Sequence, residues 1–291
     1  GVATDVIVGP RSGDSFLGGN FDVTRLPFAP VAPGTGLGDT MIGGGALPIA
    51  AKDGKGMTID RGVSSTTLDV DLALGNSQTW TNDGSLLAIV GDSISGSGRD
   101  LTIAGVGQTY IDASIDTGGG SLTKDGDGTL VLGGRNSYSG GTPAGSGSIV
   151  IFDGYSLPES GSFTAAGASN NVGASYLGYT NKVDVSVSSF LGRFNQSLTW
   201  GIIGFDTNSG HDPIYVSSAI NLTGFNDGVF LGTATTATLS GVLTPSNVTN
   251  AYQTANTLRF TAVNGGTLTV TSDLTGSIGV VTGKFVVQGG L

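Results

Sequence analysis

Three stretches decide how this chain is to be read: WTNDGSLLAIVGDSI (80–94), LTIAGVGQTYIDASI (101–115) and LTKDGDGTLVLGG (122–134). Set one below the next at an offset of 21 residues, they align without a gap. Trp80, Leu101 and Leu122 share one column. Gly84, Gly105, Gly126 and Gly147 share a second, Val90, Ile111 and Leu132 a third, and Ile94 matches Ile115. Short β-type segments between glycine corners, recurring at this period, predict a parallel β-solenoid in which each repeat is one coil. Equivalent residues then stack about 4.8 Å apart, and ladder hydrogen bonds run from coil to coil. Strand alternation turns Leu130 and Leu132 into the core and Thr129 and Val131 outward. Glycine supplies the positive φ that sharp corners need, and stacking offsets the entropy it costs.

Composition agrees with a folded β protein. Glycine contributes 52 of 291 residues, but 38% of the chain is apolar, only 12% is charged, and mean hydropathy is +0.18. Disordered chains combine low hydrophobicity with high charge, so glycine here does not mean disorder. The acids are 21 Asp against the single Glu159, which favours turns over helices. Net charge is −10, and the 12 Lys and Arg never cluster, which argues against a nucleic-acid groove or an anionic membrane surface as partner. Cysteine is absent, which removes disulfides, thiol nucleophiles and Cys-based metal sites. No apolar run approaches the roughly 20 residues of a membrane span, so no membrane insertion is expected. The opening GVATDVIVGP has neither an initiator Met nor a basic and apolar leader, and reads as a mature product or an excised part of something longer.

Three regions are expected. Residues 1–62 form a Pro/Gly-rich N-terminal cap or first irregular coils. Four of the nine prolines lie from Pro27 to Pro48, which disfavours central strands there. Residues 63–167 hold the regular 21-residue repeats. Residues 168–291 continue the solenoid with longer loops. FTAAGASNNVGASYLG (163–178) reads as a transition. Strands are expected in KVDVSVS (182–188), SLTWGIIGF (197–205), GVFLGT (228–233), TATLSG (236–241), NTLRFTAV (256–263), GTLTVTS (266–272) and GKFVVQG (283–289). Leu239, Phe260 and Val281 recover the spacing of 21. Length over period gives about 10–13 coils.

The segment GGGSLTKDGDGTLVLGGRNSYSGGT (118–142) resembles the autotransporter-associated β-strand repeat. The resemblance rests on Leu122, Thr123, Lys124, Gly126, Gly128, Thr129, Leu130, Leu132, Asn136, Tyr138, Gly140, Gly141 and Thr142. NSQTWTNDG from Asn76 resembles the lead-in of such arrays, and LRFTAVNGGTLTVTSDLTG (258–276) is similar to segments of large bacterial surface proteins that bear them. The resemblance implies a secreted right-handed parallel β-helix, extracellular or on a bacterial cell surface. It further implies a non-enzymatic structural or adhesive module.

The alternative is a carbohydrate-active β-helix enzyme, a lyase or hydrolase working with Asp side chains. Asp69 and Asp71 in LDVDL point the same way from one strand, and Asp71 and Asp92 stand one repeat apart. An inverting glycosidase needs two carboxyls roughly 6.5–9.5 Å apart. The sole histidine, His211 in NSGHDPIY, sits beside Asp212, but neighbours on an extended chain point apart, so it reads as a loop residue. SGSGRDLTI (95–103) partly resembles a nonapeptide calcium repeat but has no tandem copies. No cofactor is expected, incidental calcium in the Asp-rich turns being the one candidate. VTGKF (281–285) lacks the first glycine and the Ser/Thr of a phosphate loop. The sequons at Asn195, Asn221 and Asn247 are ordinary in a Thr-rich chain.

If Leu130 and Leu132 face inward, the neighbouring column Ile89, Tyr110, Val131 and Phe152 faces out, an apolar contact strip. Expected partners are therefore further copies of the chain, end to end or side by side, other surface components, or glycans. Open coil ends make a fibre segment physically natural.

Overall fold

The computed structural model describes residues 4–5, 15–16, 23–28, 39–167, 174–180, 186–207, 212–248, 256–274, 277–280 and 284–287. The chain divides into two compact units. Unit 1 holds Gly1–Thr142 and Tyr155–Gly161; unit 2 holds Pro143–Gly154 and Ser162–Leu291. The fold is all-β, a parallel β-solenoid of about 8 turns and about 23 residues per turn. That is fewer coils than a uniform 21-residue period gives, because most coils are longer.

In unit 1 every pairing of coil with coil is parallel among the described strands. Strand Leu101–Ala104 lies between Gln78–Asn82 and Leu122–Lys124. Gln108–Ile111 lies between Leu86–Ile89 and Thr129–Leu132. Ser114–Asp116 pairs with Ser93–Ser95. The core is a set of stacked columns. Leu68, Ile89, Ile111 and Leu132 follow one another in register, all fully buried. Leu72, Ile94 and Ile115 form another column. Burying each such aliphatic side chain stabilises the coil by about 1.5–3 kcal/mol.

The period holds at 21 only over part of the repeat. Leu101 pairs with Leu122, Ile111 with Leu132, and Ile94 with Ile115, as expected. Trp80, however, lies opposite Ile103, 23 residues on, and Ile111 lies opposite Ile89, 22 residues back. The coil that begins at Gln78 carries one extra residue at each of two corners. An ungapped alignment absorbs neither. The first slip is by two residues and keeps the face; the second is by one and turns every side chain over. The glycine column slips likewise: Gly126 packs on Gly105, but Gly105 packs on Asn82 and Gly107 on Gly84. Gly105 has φ +98°, and a Cβ there would lie 2.2 Å from the Asn82 carbonyl oxygen. The corner therefore needs glycine for both conformation and space.

The proline-rich start corrects a further expectation. Strands Val23–Phe28, Thr40–Ile49 and Lys55–Ile59 join the solenoid, with Pro27 opposite Thr58 and Pro48 opposite Ala73. A strand residue directs its N–H to one neighbour only, so each ring forfeits a single ladder bond. Pro30 and Pro33 lie outside the described residues.

Unit 2 has longer coils. Ile149 pairs with Tyr176, Tyr176 with Ile202 and Ile202 with Phe230, at spacings of 26–28 residues. The larger circuit encloses aromatic rings. Phe163 stacks on Phe152 at 4.8 Å and meets Phe194 edge-on at 5.5 Å, while Tyr179 lies 4.3 Å from Phe190. Phe190 belongs to the five-residue helix Val187–Leu191, capped by the Ser186 hydroxyl accepting from the Ser189 N–H. A strand was expected around 182–188, yet Val187 and Ser188 are helical. Phe190 and Leu191, further along the same turn, bury their side chains. The strands expected at 202–205, 230–233, 236–239, 257–262, 267–270 and 284–287 are present. Leu239 and Phe260 do not stack: Leu239 pairs with Val216 and Val270, Phe260 with Leu231 and Val280. Val281 lies outside the described residues.

Candidate functional site

The carboxylates singled out in the sequence do converge. Strand Ser65–Leu74 buries Leu68, Val70 and Leu72, so Asp69 and Asp71 share its outer face. On the preceding coil, Gly44 and Gly45 bulge opposite Val70. On the following coil, Gly91 and Asp92 form the extra corner. Together these residues line a depression of about 240 Å³ that contains Asp69, Asp71 and Asp92. The residue opposite Asp71 is Ser93 rather than Asp92: Asp71 Oδ1 accepts from the Ser93 N–H at 2.9 Å and the Ser93 hydroxyl at 3.3 Å. Asp69 and Asp92 are exposed. A general acid needs shelter from water to hold its proton at neutral pH, and neither exposed carboxyl has it.

The Asp71–Ser93 contact belongs to a recurring device. Asp100 Oδ1 accepts from both the N–H and the hydroxyl of Ser121, each at 2.9 Å. Asp116 accepts from the Ser137 hydroxyl at 2.9 Å, and Asp39 from Ser65 at 2.6 Å. Each bond joins one coil to the next. The backbone bond to Ser121, then its hydroxyl, holds the Asp100 carboxyl below the usual range. The short Asp side chain reaches a backbone N–H one coil away, which explains why the chain uses Asp and almost no Glu. Asp100 is also the acid of the calcium-like stretch 95–103, where its Oδ1 is committed to Ser121. Among the described residues no three His, Asp or Glu side chains gather as a metal site.

The segment 122–142 is made of stacking parts. Lys124 continues the core column Met57, Trp80, Ile103. Its ammonium is buried and donates to the carbonyls of Asp125 and Gly126, at 2.7 and 2.9 Å. Burial pushes it down to about 8 against the attraction of Asp125 and Asp127. Asn136 is buried and bridges two coils: its Oδ1 accepts from the Ile115 N–H at 3.0 Å and its Nδ2 donates to the Ser156 carbonyl at 2.6 Å. The Tyr138 hydroxyl meets that of Thr142 at 2.7 Å in the core, and burial raises the phenol well above its usual range.

A family model described as passenger-associated-transport-repeat matches residues 122–149. The chain carries a passenger-type transport repeat. With the β-solenoid, that repeat fits an autotransporter-passenger-like β-helix protein. No curated protein and no solved structure matches the chain.

The proposed contact strip does not survive as a column. Ile89 is in the core, opposite Ile111, and Tyr110 stands opposite Ala88. Val131 is 8% exposed and Phe152 1%, leaving Tyr110, at 37%, as the exposed member. The one-residue corner insertion explains Ile89; Phe152 packs against Phe163. His211 lies outside the described residues. No helix is long and apolar enough to cross a membrane.

One polar centre escaped the sequence reading. In unit 2, Asp206 ends the buried strand Ile202–Asp206 and is itself fully buried. Its Oδ2 accepts from the Tyr176 hydroxyl at 2.6 Å. Its Oδ1 accepts from the Ala234 N–H at 2.9 Å and the Thr235 hydroxyl at 3.0 Å. Burial, partly offset by these donors, pushes the carboxyl up to about 6. The sequence cue was an acid closing the apolar run GIIGF (201–205), with no turn residue beside it.

Proposed function

We propose that the chain is a non-enzymatic, extracellular structural or adhesive module, a rigid β-solenoid segment of a large bacterial surface protein. One observation carries this reading: the polar residues of the matched repeat, Lys124, Asn136, Tyr138 and Thr142, spend their bonding groups on coil stacking rather than on an open cleft. The Asp side chains that a catalytic reading would use serve largely as coil-to-coil clamps. Partners of such a module are further copies of itself, other surface components or glycans. Negative-stain imaging and sedimentation of the purified chain test self-association. Short rods that lengthen with concentration, and that Tyr110→Asp shortens, support side-to-side contact through the exposed tyrosine.

A carbohydrate-active enzyme remains the second reading, on the specific ground that Asp69, Asp71 and Asp92 line one depression. Incubation with acidic and neutral polysaccharides separates the two. The structural reading expects no reducing-sugar release above buffer. Release that Asp71→Asn abolishes would replace it with the enzymatic one.

A further inference from the structure

The Asp206 centre joins three successive windings of unit 2. Tyr176 comes from strand Tyr176–Thr180, Asp206 from the next strand, and Ala234 and Thr235 from the end of the one after, Phe230–Thr233. The Ala234 N–H also lies 3.1 Å from the Tyr176 hydroxyl. Space for the phenol is made by glycine: a Cβ on Gly204 would fall 1.9 Å from the Tyr176 ring, and one on Gly178 would fall 2.3 Å from Asp206 Oδ2. Two glycines thus give up their side chains so that a tyrosine can lie along the sheet and reach a buried acid. Such a centre costs free energy unless its bonds are made.

The groups facing Asp206 can be named element by element. Tyr176–Thr180 contributes the phenol, and segment 230–235 contributes the Thr233 and Thr235 hydroxyls and the Ala234 N–H. The described contacts of Asp206 include no lysine, arginine or second carboxylate. Burial without a cation favours the neutral acid; the converging donors favour the carboxylate.

We propose that Asp206 is a proton-operated clamp, which holds these three windings together more tightly in mildly acidic medium than at neutrality. In the charged form, Oδ2 accepts from Tyr176 and Oδ1 from the other donors. On taking one proton from solvent, Oδ2–H donates to the Tyr176 oxygen, and the phenol hydrogen turns toward Thr233, with which it already interacts. Both states are bonded, but only the charged one carries the burial penalty. The sign follows from linkage. The folded carboxyl binds its proton more tightly than the unfolded one, so the stabilisation is complete below about pH 4 and is lost as pH rises through about 6. A shift of about two pH units corresponds to an unfolding constant on the order of a hundredfold larger at pH 7.5 than at pH 4 from this group alone.

The test is a carbon-13 NMR titration of the intact chain labelled at Asp carboxyls, with Asp206→Asn identifying the resonance. The expected midpoint lies near pH 6, and Tyr176→Phe, which removes a donor to the charge, moves it higher. Denaturant unfolding gives a second readout: the native chain loses stability relative to Asp206→Asn between pH 4.5 and 7.5. Should Asp206→Asn not fold, the resonance that moves in Tyr176→Phe identifies the same group. A midpoint in the ordinary range near 4, or pH profiles of native and Asp206→Asn chains that run parallel, overturns the proposal.

Discussion

Removing the Asn136 side chain is the sharpest perturbation of the coil-stacking account. Asn136 holds the Ile115 N–H on one side and the Ser156 carbonyl on the other, and all three lie within unit 1. Asn136→Ala leaves a buried donor and a buried acceptor without that partner. Each orphaned group costs about 1–3 kcal/mol, so the pair predicts a loss of about 2–5 kcal/mol. Asn136→Asp is worse in kind: it keeps the acceptor for Ile115 but sets a carboxylate oxygen against the Ser156 carbonyl in a buried site. The control is Ser137→Ala, next along the chain, whose exposed hydroxyl bonds Asp116 and whose loss costs about 0.5 kcal/mol or less. Urea unfolding followed by circular dichroism supplies the numbers, and amide exchange of Ile115 reports the bond itself. Equal costs for Asn136→Ala and Ser137→Ala, with Ile115 still protected, would refute the reasoning.

Three further outcomes are expected. Gly105→Ala combines a strained φ with a backbone clash and costs about 3 kcal/mol or more, whereas Gly98→Ala, with φ +68° and nothing within 4 Å, costs only the conformational term of about 1–2 kcal/mol; paired thermal melts compare them. Lys124 binds its proton less tightly folded than unfolded, so its burial penalty is present below about pH 8 and is relieved as pH rises toward 10; the native chain should gain stability over that window relative to Lys124→Met. Asp100 is the opposite case: its depressed carboxyl contributes stability above about pH 4 that is lost as pH falls further. Being largely exposed, it contributes within about 0.5 kcal/mol, read as a small low-pH difference between native and Asp100→Asn chains.

Much of this fold was legible because stacking repeats the same environment. Where coils match in length, as from Leu101 to Leu132, the columns of the sequence are the columns of the core. Legibility failed where a corner gained a residue. The insertion near Val90 placed Ile89 inside and undid the apolar strip, since nothing in a glycine- and serine-rich corner marks which residue is extra. Proline misled for a related reason: Pro48 sits in a ten-residue strand because only one ladder bond depends on it. Of the candidate site, the shared face of Asp69 and Asp71 followed from alternation, while their bonding did not. That Asp71 clamps Ser93 depends on register, which a one-residue slip conceals. The Asp206 centre was hidden for a different reason. Its partners come from residues 30 and 28 positions away, in coils with no shared period.

Cysteine cross-linking in this cysteine-free chain tests the winding itself. Thr102 faces outward between Thr79 and Thr123, its register partners on the two flanking coils. Cysteines placed at 102 and 123, or at 79 and 102, should oxidise to intramolecular disulfides within the Cα separation of 4.4–6.8 Å such a bond needs. The pair at 81 and 102, which a uniform 21-residue winding would bring together, should stay reduced. Efficient bridging of 81 with 102 would contradict the register, and failure of all three pairs would contradict stacked parallel coils altogether.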